Sequence, residues 1–193
     1  YTMAILFAEA FRKKKMEPRV KIFATDVHRL LLERASQGVY DDEALAAVPK
    51  DIRKRWFRET RPGASVVAPS LRDMVVFAHH DVTRDPPFTR LDLLSCRNML
   101  IYLRPAAQQR VLTLFHFALK TSGLLMLGPS ESPGKLEDEF VSIDNRWKLY
   151  RKRRDVRLRG ALRQPEGIRT RTSAPNADRH DPGNRARDRL LAR

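Results

Sequence analysis

The 193-residue sequence predicts an α/β fold, with a mostly parallel sheet and an antiparallel hairpin at one edge. Short apolar runs alternate with segments of helical spacing, as in strands that are joined by crossover helices. A carboxylate or another polar group follows several of these runs, as at the carboxyl ends of buried parallel strands. Two further apolar runs flank Asp144-Asn145, which indicates a tight antiparallel turn.

The first part of the chain predicts two helices with a buried strand between them. Apolar residues at helical spacing predict a helix over residues 2–15. Residues 20–25, VKIFAT, form a short β-branched run and predict a strand that ends just before Asp26. Helical spacing returns over residues 27–37, and Gly38 is a typical helix stop.

The middle of the chain predicts a small excursion between buried strands. Residues 39–58 predict short helical pieces. Residues 60–70 contain Pro62-Gly63 between strand-forming residues and predict a small hairpin. Residues 73–78, DMVVFA, and residues 91–95, LDLLS, predict two more buried strands with a polar loop between them.

The last third predicts one helix, one strand and the terminal hairpin. Pro105 is at a favoured first position of a helix. Its apolar face consists of Val111, Leu112, Phe115, Ala118 and Leu119. Residues 123–128, GLLMLG, predict another buried strand, and residues 140–143 and 146–150 predict the hairpin.

Composition narrows the class of protein. Cys96 is the single cysteine, so an intrachain disulfide is excluded and a cytoplasmic location is predicted. It lies in an apolar run, which favours a core thiol over a nucleophile. The longest apolar runs have about six residues, whereas a bilayer-spanning helix needs about 20. We therefore expect no membrane insertion.

The net charge of +15 is concentrated at one end of the sequence. Residues 151–193 contain 14 Lys and Arg against 5 Asp and Glu, so the rest of the chain is only mildly basic. Such an arginine-rich segment could bind polyanions without sequence preference. Its Pro, Asn, Asp, Gly and Arg content favours a solvated, disordered tail. We expect no specific nucleic-acid partner.

Two predicted strand ends carry acidic residues that could bind a nucleoside. A carboxylate at Asp26 could accept hydrogen bonds from both ribose hydroxyls, and it could equally cap the following helix. In the segment His79-His80-Asp81, the side chains of the adjacent histidines point in different directions, so we predict no metal site. A loop acid or amide at this position could reach an adenine amino group, which makes Asp81 the candidate in this segment.

The third strand end carries Arg97, Asn98 and, shortly after, Tyr102. A guanidinium, an amide and a phenol that emerge together from a buried strand are suited to orienting a ligand, since Arg can hold a carboxylate with two hydrogen bonds. The structural alternative places Arg97 in a surface ion pair and Asn98 at the cap of a short helix. The residues alone leave both interpretations open.

These segments carry a resemblance to a known family. Residues 23–27 (FATDV), 79–88 (HHDVTRDPPF), 91–103 (LDLLSCRNMLIYL) and 122–132 (SGLLMLGPSES) occur in the order and spacing of CheR chemotaxis methyltransferase catalytic domains, and residues 144–153 (DNRWKLYRKR) resemble the closing strand of that family. The resemblance implies a Rossmann-like, S-adenosylmethionine-dependent methyltransferase sheet over residues 1–153. It also implies a small β-subdomain that contacts the receptor at about residues 53–73, followed by a basic, disordered tail at residues 154–193.

The resemblance implies a cofactor-binding role for each matching residue. Asp26 would bind the ribose of S-adenosylmethionine. Asp81 and Val82 would contact the adenine region, although many CheR proteins have Asn at the first of these positions. Arg97 and Asn98 would line the cofactor pocket.

The resemblance also implies a reaction, which is methylation of receptor glutamates with S-adenosylmethionine as methyl donor. Arg97 would lie near the methyl acceptor and Tyr102 would face the reaction centre. A glutamate carboxylate is already ionised at neutral pH, so its attack on a sulfonium methyl group needs no general base. We therefore predict that Arg97 and Tyr102 are positioning groups, and we expect a chemoreceptor or another glutamate-bearing signalling protein as partner.

The chain departs from the family at its start. Family members carry a first strand and a cofactor loop of the form GxxTGEEPY, and Tyr1 matches the last residue of that loop. We expect the strand, the loop and the N-terminal helical subdomain to be missing, with an unpaired strand edge, weak or absent cofactor binding and no useful turnover as the result.

Three hypotheses follow from the sequence. The first is a protein-glutamate methyltransferase fragment, and the loop at residues 79–88 resembles versions that are fused to CheB-like and sensor modules. The second is a catalytically inactive interaction or regulatory remnant of such a protein. The third is part of an RNA or DNA methyltransferase, for which the arginine-rich tail is the only support.

Overall fold

The computed structural model describes residues 1–156 of the chain, and every structural statement below concerns that part. The helices are α1 Thr2–Lys13, α2 Arg29–Gln37, α3 Lys50–Trp56, α4 Pro69–Arg72 and α5 Pro105–Ala118, with 3₁₀ turns at Leu100–Tyr102 and Gly134–Glu139. The strands are β1 Ile22–Asp26, β2 Val39–Asp41, β3 Phe57–Arg61, β4 Ala64–Val67, β5 Val75–His79, β6 Leu91–Cys96, β7 Leu119–Leu127, β8 Phe140–Asp144 and β9 Leu149–Lys152. Nearly all of the predicted tail, residues 157–193, lies outside the described residues.

Two parallel strand pairs form the centre of the fold, and the residues of β1, β5 and β6 are half-buried or exposed, whereas buried strands were predicted. β1 pairs with β5 in parallel, from Ile22 opposite Val75 to Asp26 opposite His79. β6 pairs in parallel with β7, and the antiparallel strands β9 and β8 extend that sheet in the order β6-β7-β9-β8. The α/β class and the terminal antiparallel hairpin are therefore confirmed.

Every sheet of the described residues has unpaired edge strands, β1 and β6 among them, and the link to a missing first strand stays a prediction. Within residues 1–156, β1 is hydrogen bonded only to β5 and β6 only to β7. The buried apolar residues also form two separate clusters. One cluster consists of Ala4, Ala8, Leu45, Phe57, Val67, Leu71 and Met74. The other consists of Leu100, Val111, Leu112, Phe115, Leu119, Leu125, Leu127, Leu136, Phe140 and Tyr150.

A separate three-stranded sheet has the order β2-β4-β3, and its β3–β4 hairpin turns at Pro62-Gly63 as predicted. The prediction of helical pieces throughout residues 39–58 is wrong at both ends. Gly38 takes a left-handed conformation with φ of 66° and ends α2, after which β2 begins at once and pairs with β4. Antiparallel pairing of Phe57 with Val67 of β4 also makes Phe57 the start of β3.

Leu119 lies in a strand, whereas the apolar pattern placed it on the face of the long helix. It is the first residue of β7 and pairs with Leu91 of β6. The helix ends at Ala118 because Leu119 takes an extended conformation, and the side chain of Lys152 donates hydrogen bonds to the carbonyl oxygens of His116 and Leu119 at this point. The first two helices are also shorter than predicted. No helix of the described residues is both long enough and apolar enough to cross a bilayer.

Candidate functional site

The predicted site residues lie at the carboxyl ends of the parallel strands. Asp26 is the last residue of β1 and lies opposite His79, the last residue of β5. Cys96, at the end of β6, lies opposite Leu127 of β7. Val82, in the loop after β5, packs against the core cluster around α5. This loop therefore connects the β1–β5 pair with the sheet that begins at β6.

Asp26 presents an exposed carboxylate at the end of β1. Its Oδ1 accepts a hydrogen bond from the amide of His28 at 2.8 Å. Its carbonyl oxygen accepts one from the amide of His80 at 3.1 Å. The N-cap of α2 is His28. Asp26 is thus part of the turn before the helix, and it is not the helix cap that the structural alternative predicted.

Asp81 organises its own loop. Its Oδ1 accepts hydrogen bonds from the amide of Thr83 at 2.9 Å and from the hydroxyl of Thr83 at 2.6 Å. Its Oδ2 lies 3.6 Å from Nε of Arg84, and its amide donates to Asp85 at 2.7 Å. The hydrogen bonds from Thr83, more than the charge of Arg84, lower the pKa of Asp81 below its ordinary value. The loop is therefore held by an ionised carboxylate at neutral pH.

The two histidines of this loop have separate surroundings. The Nε2 atom of His80 lies 3.0 Å from the carbonyl oxygen of Pro86, and its ring packs 5.0 Å from that of Phe88. Phe88 in turn stacks on Phe23 of β1 at 5.2 Å. Among residues 1–156, no group of three His, Cys, Asp or Glu side chains is arranged to hold a metal ion.

After β6 the chain makes a strained corner that leads to Tyr102. Asn98 has a φ of 59°, in the left-handed region that Asn tolerates better than most residues. The following 3₁₀ turn buries Leu100, whereas the side chain of Tyr102 is 82% exposed. Arg97 is also exposed at this corner.

Neither structural alternative for this corner is observed. In the described part of the chain, Arg97 forms no ion pair within 4 Å. The N-cap of the 3₁₀ turn is Met99, and no side chain caps it. The ligand-binding roles of Arg97 and Asn98 remain predictions.

Cys96 is a core thiol, as the sequence suggested. Burial, with a further contribution from the charge of Glu131, raises the pKa of Cys96 to about 12. The thiolate is the nucleophilic form of cysteine, and it is suppressed at neutral pH by this shift. Cys96 is half-buried and packs against the α5 core, as expected for a core thiol.

Sequence reasoning assigned no role to Glu131, a buried carboxylate within the segment GPSES. It accepts hydrogen bonds from the amides of Asn98 at 3.0 Å, Leu100 at 2.8 Å and Gly128 at 2.6 Å. It thereby connects the segments that follow β6 and β7. A glutamate in a Gly-Pro-Ser segment right after a buried strand is the only signal in the sequence for this role.

The sequence is similar to known methyltransferases. Residues 1–149 match the family described as CheR methyltransferase, SAM binding domain. The chain is 42% identical over 150 residues to an uncharacterized 104.1 kDa protein from the hypE 3′ region of Rhodobacter capsulatus, a match that covers 78% of this chain and 16% of that protein. It is 35% identical over 161 residues to the putative methyltransferase Cher3 of Pseudomonas putida, over 79% of this chain and 58% of that protein.

A third relative carries a chemotaxis name. The chain is 36% identical over 137 residues to chemotaxis protein methyltransferase 2 of Pseudomonas aeruginosa, a match that covers 68% of this chain and 48% of that protein. The chain thus spans about half the length of the named methyltransferases that it matches.

Proposed function

Because this chain belongs to the CheR methyltransferase family, we propose that it is part of an enzyme that transfers the methyl group of S-adenosylmethionine to glutamate side chains of a chemoreceptor or another signalling protein. The match of residues 1–149 to the S-adenosylmethionine-binding domain of that family is the observation that carries the proposal. Relatives named as chemotaxis protein methyltransferases support the class of partner.

The reaction requires little acid–base catalysis from the protein. Bound S-adenosylmethionine supplies an electrophilic methyl group on a sulfonium. A carboxylate oxygen of the acceptor forms the new C–O bond while the C–S bond breaks, which gives a methyl ester and a neutral thioether. A glutamate with an ordinary pKa of about 4.3 is already ionised at neutral pH. Alignment and exclusion of water are then the tasks of the protein.

Three residues near the ends of β1 and β5 suit the nucleoside. The exposed carboxylate of Asp26 is a fitting acceptor for ribose hydroxyls. Asp81 and Val82 would contact the adenine region. Oδ1 of Asp81 accepts two hydrogen bonds from Thr83, and Oδ2 is paired only loosely with Arg84 at 3.6 Å. Oδ2 and the half-buried Val82 side chain are therefore the groups available to a ligand.

Arg97, Asn98 and Tyr102 would form the other part of the site. The exposed guanidinium of Arg97 can hold the acceptor carboxylate with two hydrogen bonds. Asn98 would line the cofactor pocket, and Tyr102 would orient the reacting groups. None of the three is assigned a proton transfer, so Arg97 and Tyr102 act as positioning groups.

A titration calorimeter and a methyl-transfer assay test the proposal. We expect the enzyme that contains this chain to bind S-adenosylhomocysteine and to transfer labelled methyl groups from S-adenosylmethionine to the purified cytoplasmic domain of a bacterial chemoreceptor. Labelled methanol released from the acceptor by alkali identifies a carboxyl methyl ester. Arg97→Ala should abolish transfer, whereas Arg110→Ala, at an exposed arginine of α5, should not.

A catalytically inactive interaction or regulatory module is the second candidate. The unpaired edges of β1 and β6 favour it, because the two sheets between which a ligand would bind are not hydrogen bonded to each other within residues 1–156. Absence of S-adenosylhomocysteine binding at millimolar concentration, with the chain folded, would establish this alternative.

We also propose a cytoplasmic location and fusion to further modules. The single cysteine fits a reducing compartment. The fused modules would be of a CheB-like or sensor kind, and the Rhodobacter capsulatus relative, matched over only 16% of its length, shows that this domain occurs within a longer protein.

A further inference from the structure

The carboxylate of Glu131 is the most completely hydrogen-bonded acidic group near the proposed site. Its Oε2 accepts from the amides of Gly128 and Asn98, and its Oε1 accepts from the amide of Leu100. The residue is only 5% exposed. Burial of a carboxylate is costly unless such donors compensate for lost water, so this arrangement fixes the three amides around it.

Gly128 and Asn98 are packed so closely that no side chain larger than that of glycine fits at position 128. A Cβ atom on Gly128 would lie 2.8 Å from the backbone nitrogen of Asn98 and 2.7 Å from Oε2 of Glu131, and it would also overlap Oδ1 of Asn98. Asn98 is meanwhile held at a φ of 59°. The left-handed corner, the glycine and the carboxylate therefore fit one another in a single arrangement.

Gln108 holds the same turn from its other side. Its Nε2 donates to the carbonyl oxygens of Leu100 and Leu103, both at 3.0 Å. Glu131 thus accepts hydrogen bonds from backbone amides at this turn, whereas Gln108 donates hydrogen bonds to its backbone carbonyl oxygens. The turn lies between these two side chains, and its last residue, Tyr102, is exposed to solvent.

We propose that Glu131 is a positioning residue for the methyl transfer, assisted by Gln108, because these two side chains fix the turn that presents Arg97, Asn98 and Tyr102. This inference rests on the proposed function of that site. Neither Glu131 nor Gln108 needs to touch the methyl donor or the acceptor. Their contribution is the orientation of groups that do, and misplacement by about 1 Å is enough to lower a rate about 100-fold.

The test compares Glu131→Gln and Gln108→Ala with two matched controls. Glu137→Gln changes an exposed glutamate of the neighbouring 3₁₀ turn, and Gln109→Ala changes the adjacent glutamine of α5. Glutamine at position 131 keeps the shape of the side chain but places an NH₂ group against an amide donor. A first readout is amide hydrogen exchange in the folded protein without ligand. We expect exchange at Asn98 or Leu100 to be about 10-fold faster in Glu131→Gln than in Glu137→Gln.

The second readout is the affinity for S-adenosylhomocysteine, measured where circular dichroism shows each variant to be folded. We expect Glu131→Gln to weaken binding about 10-fold or more, Gln108→Ala to weaken it less, and both controls to match the original chain. Gly128→Ala should reproduce the Glu131→Gln effect, since it displaces Asn98 by another route. If Glu131→Gln proves unable to fold, Gly128→Ala and Gln108→Ala carry the test.

Three results are informative. Unchanged exchange at Asn98 and Leu100 would show that Glu131 does not hold these two amides. Altered exchange with unchanged S-adenosylhomocysteine affinity would overturn the positioning role. If the original chain binds no S-adenosylhomocysteine while Glu131→Gln still accelerates exchange, the proposed function has failed, and the role in methyl transfer is overturned with it.

Discussion

The ammonium group of Lys152 donates a hydrogen bond to the carbonyl oxygen of His116 at 2.7 Å, although the Lys152 side chain is only 2% exposed. It donates equally to the carbonyl oxygen of Leu119 and lies 2.6 Å from the carboxylate of Asp155. A cation at the end of a helix is favoured by the aligned peptide dipoles. Lys152 therefore closes α5 and attaches β9 to it.

Replacement of Lys152 should weaken the fold. Lys152→Met keeps the length of the side chain but leaves two buried carbonyl groups without their donor, so we expect the free energy of unfolding to fall by about 2–4 kcal/mol. Urea unfolding measures the change, with Lys135→Met, at an exposed lysine, as control. A loss no larger than that of the control would mean that this buried contact contributes no net stability.

His116 should make stability depend on pH. Burial, and secondly the charge of Lys152, lowers the pKa of His116 below its ordinary 6.5. Because the unfolded chain then binds a proton more readily, the contribution to stability is complete above pH 6.5 and is lost as the pH falls through the lower value in the folded protein. We expect His116→Gln to reduce the fall in unfolding free energy between pH 7.5 and about 5. Parallel pH profiles for the two proteins would contradict this.

Glu9 should stabilise the contact between α1 and α3. Its carboxylate accepts hydrogen bonds from Arg12 at 2.9 Å, Arg55 at 2.7 Å and the indole of Trp56 at 2.8 Å. The Arg12 guanidinium first, with Arg55 and Trp56, lowers the pKa of Glu9 to about 2 from an ordinary 4.5. The stability from this group is present above pH 4.5 and is lost as the pH falls toward 2.

We therefore expect Glu9→Gln to lower stability at pH 7 and to shift the emission of Trp56 to longer wavelength. The difference from the original chain should shrink as the pH falls below 4.5, because the original carboxyl group then becomes protonated as well. Glu17→Gln, at an exposed glutamate, is the control. An equal difference at pH 7 and at low pH would show that the carboxylate charge is not the cause.

Asn98 allows backbone and side-chain roles to be separated. Glycine accepts the left-handed conformation at φ 59° without a steric cost, so Asn98→Gly should change the unfolding free energy by less than about 1 kcal/mol. If the amide binds the cofactor as proposed, the same variant should lose about 10-fold in affinity for S-adenosylhomocysteine, the effect of about one hydrogen bond. Ser122→Gly, at a φ of 66°, is the matched control. Unchanged affinity would exclude the Asn98 side chain from the site.

Local sequence patterns predicted most of the strands and helices, since apolar runs and Pro or Gly at their ends are themselves local signals. The failures involve partners that are distant in sequence. Val39–Asp41 becomes a strand because β4 pairs with it, and Leu119 leaves the helix because β6 does. Neither partner is visible in a window of neighbouring residues.

The candidate site shows the same contrast between local and distant signals. Placement of Asp26, Asp81 and Arg97 at strand ends follows from the order of apolar runs, and the structure agrees with it. Glu131 could not be predicted in this way, because in sequence a buried glutamate looks like a surface glutamate. Its burial depends on amides supplied by Asn98 and Leu100, about thirty residues earlier in the chain.

The division of the apolar core has a consequence for cooperativity. Two clusters that share no buried residue, on sheets that are not hydrogen bonded to each other, can lose their order one at a time. The cluster around α5 has ten buried residues against seven in the cluster around α1, so we expect the α5 part to melt last. The calorimetric transition should then be broader than a two-state transition of the same total enthalpy, and a ligand that bridges both parts would sharpen it.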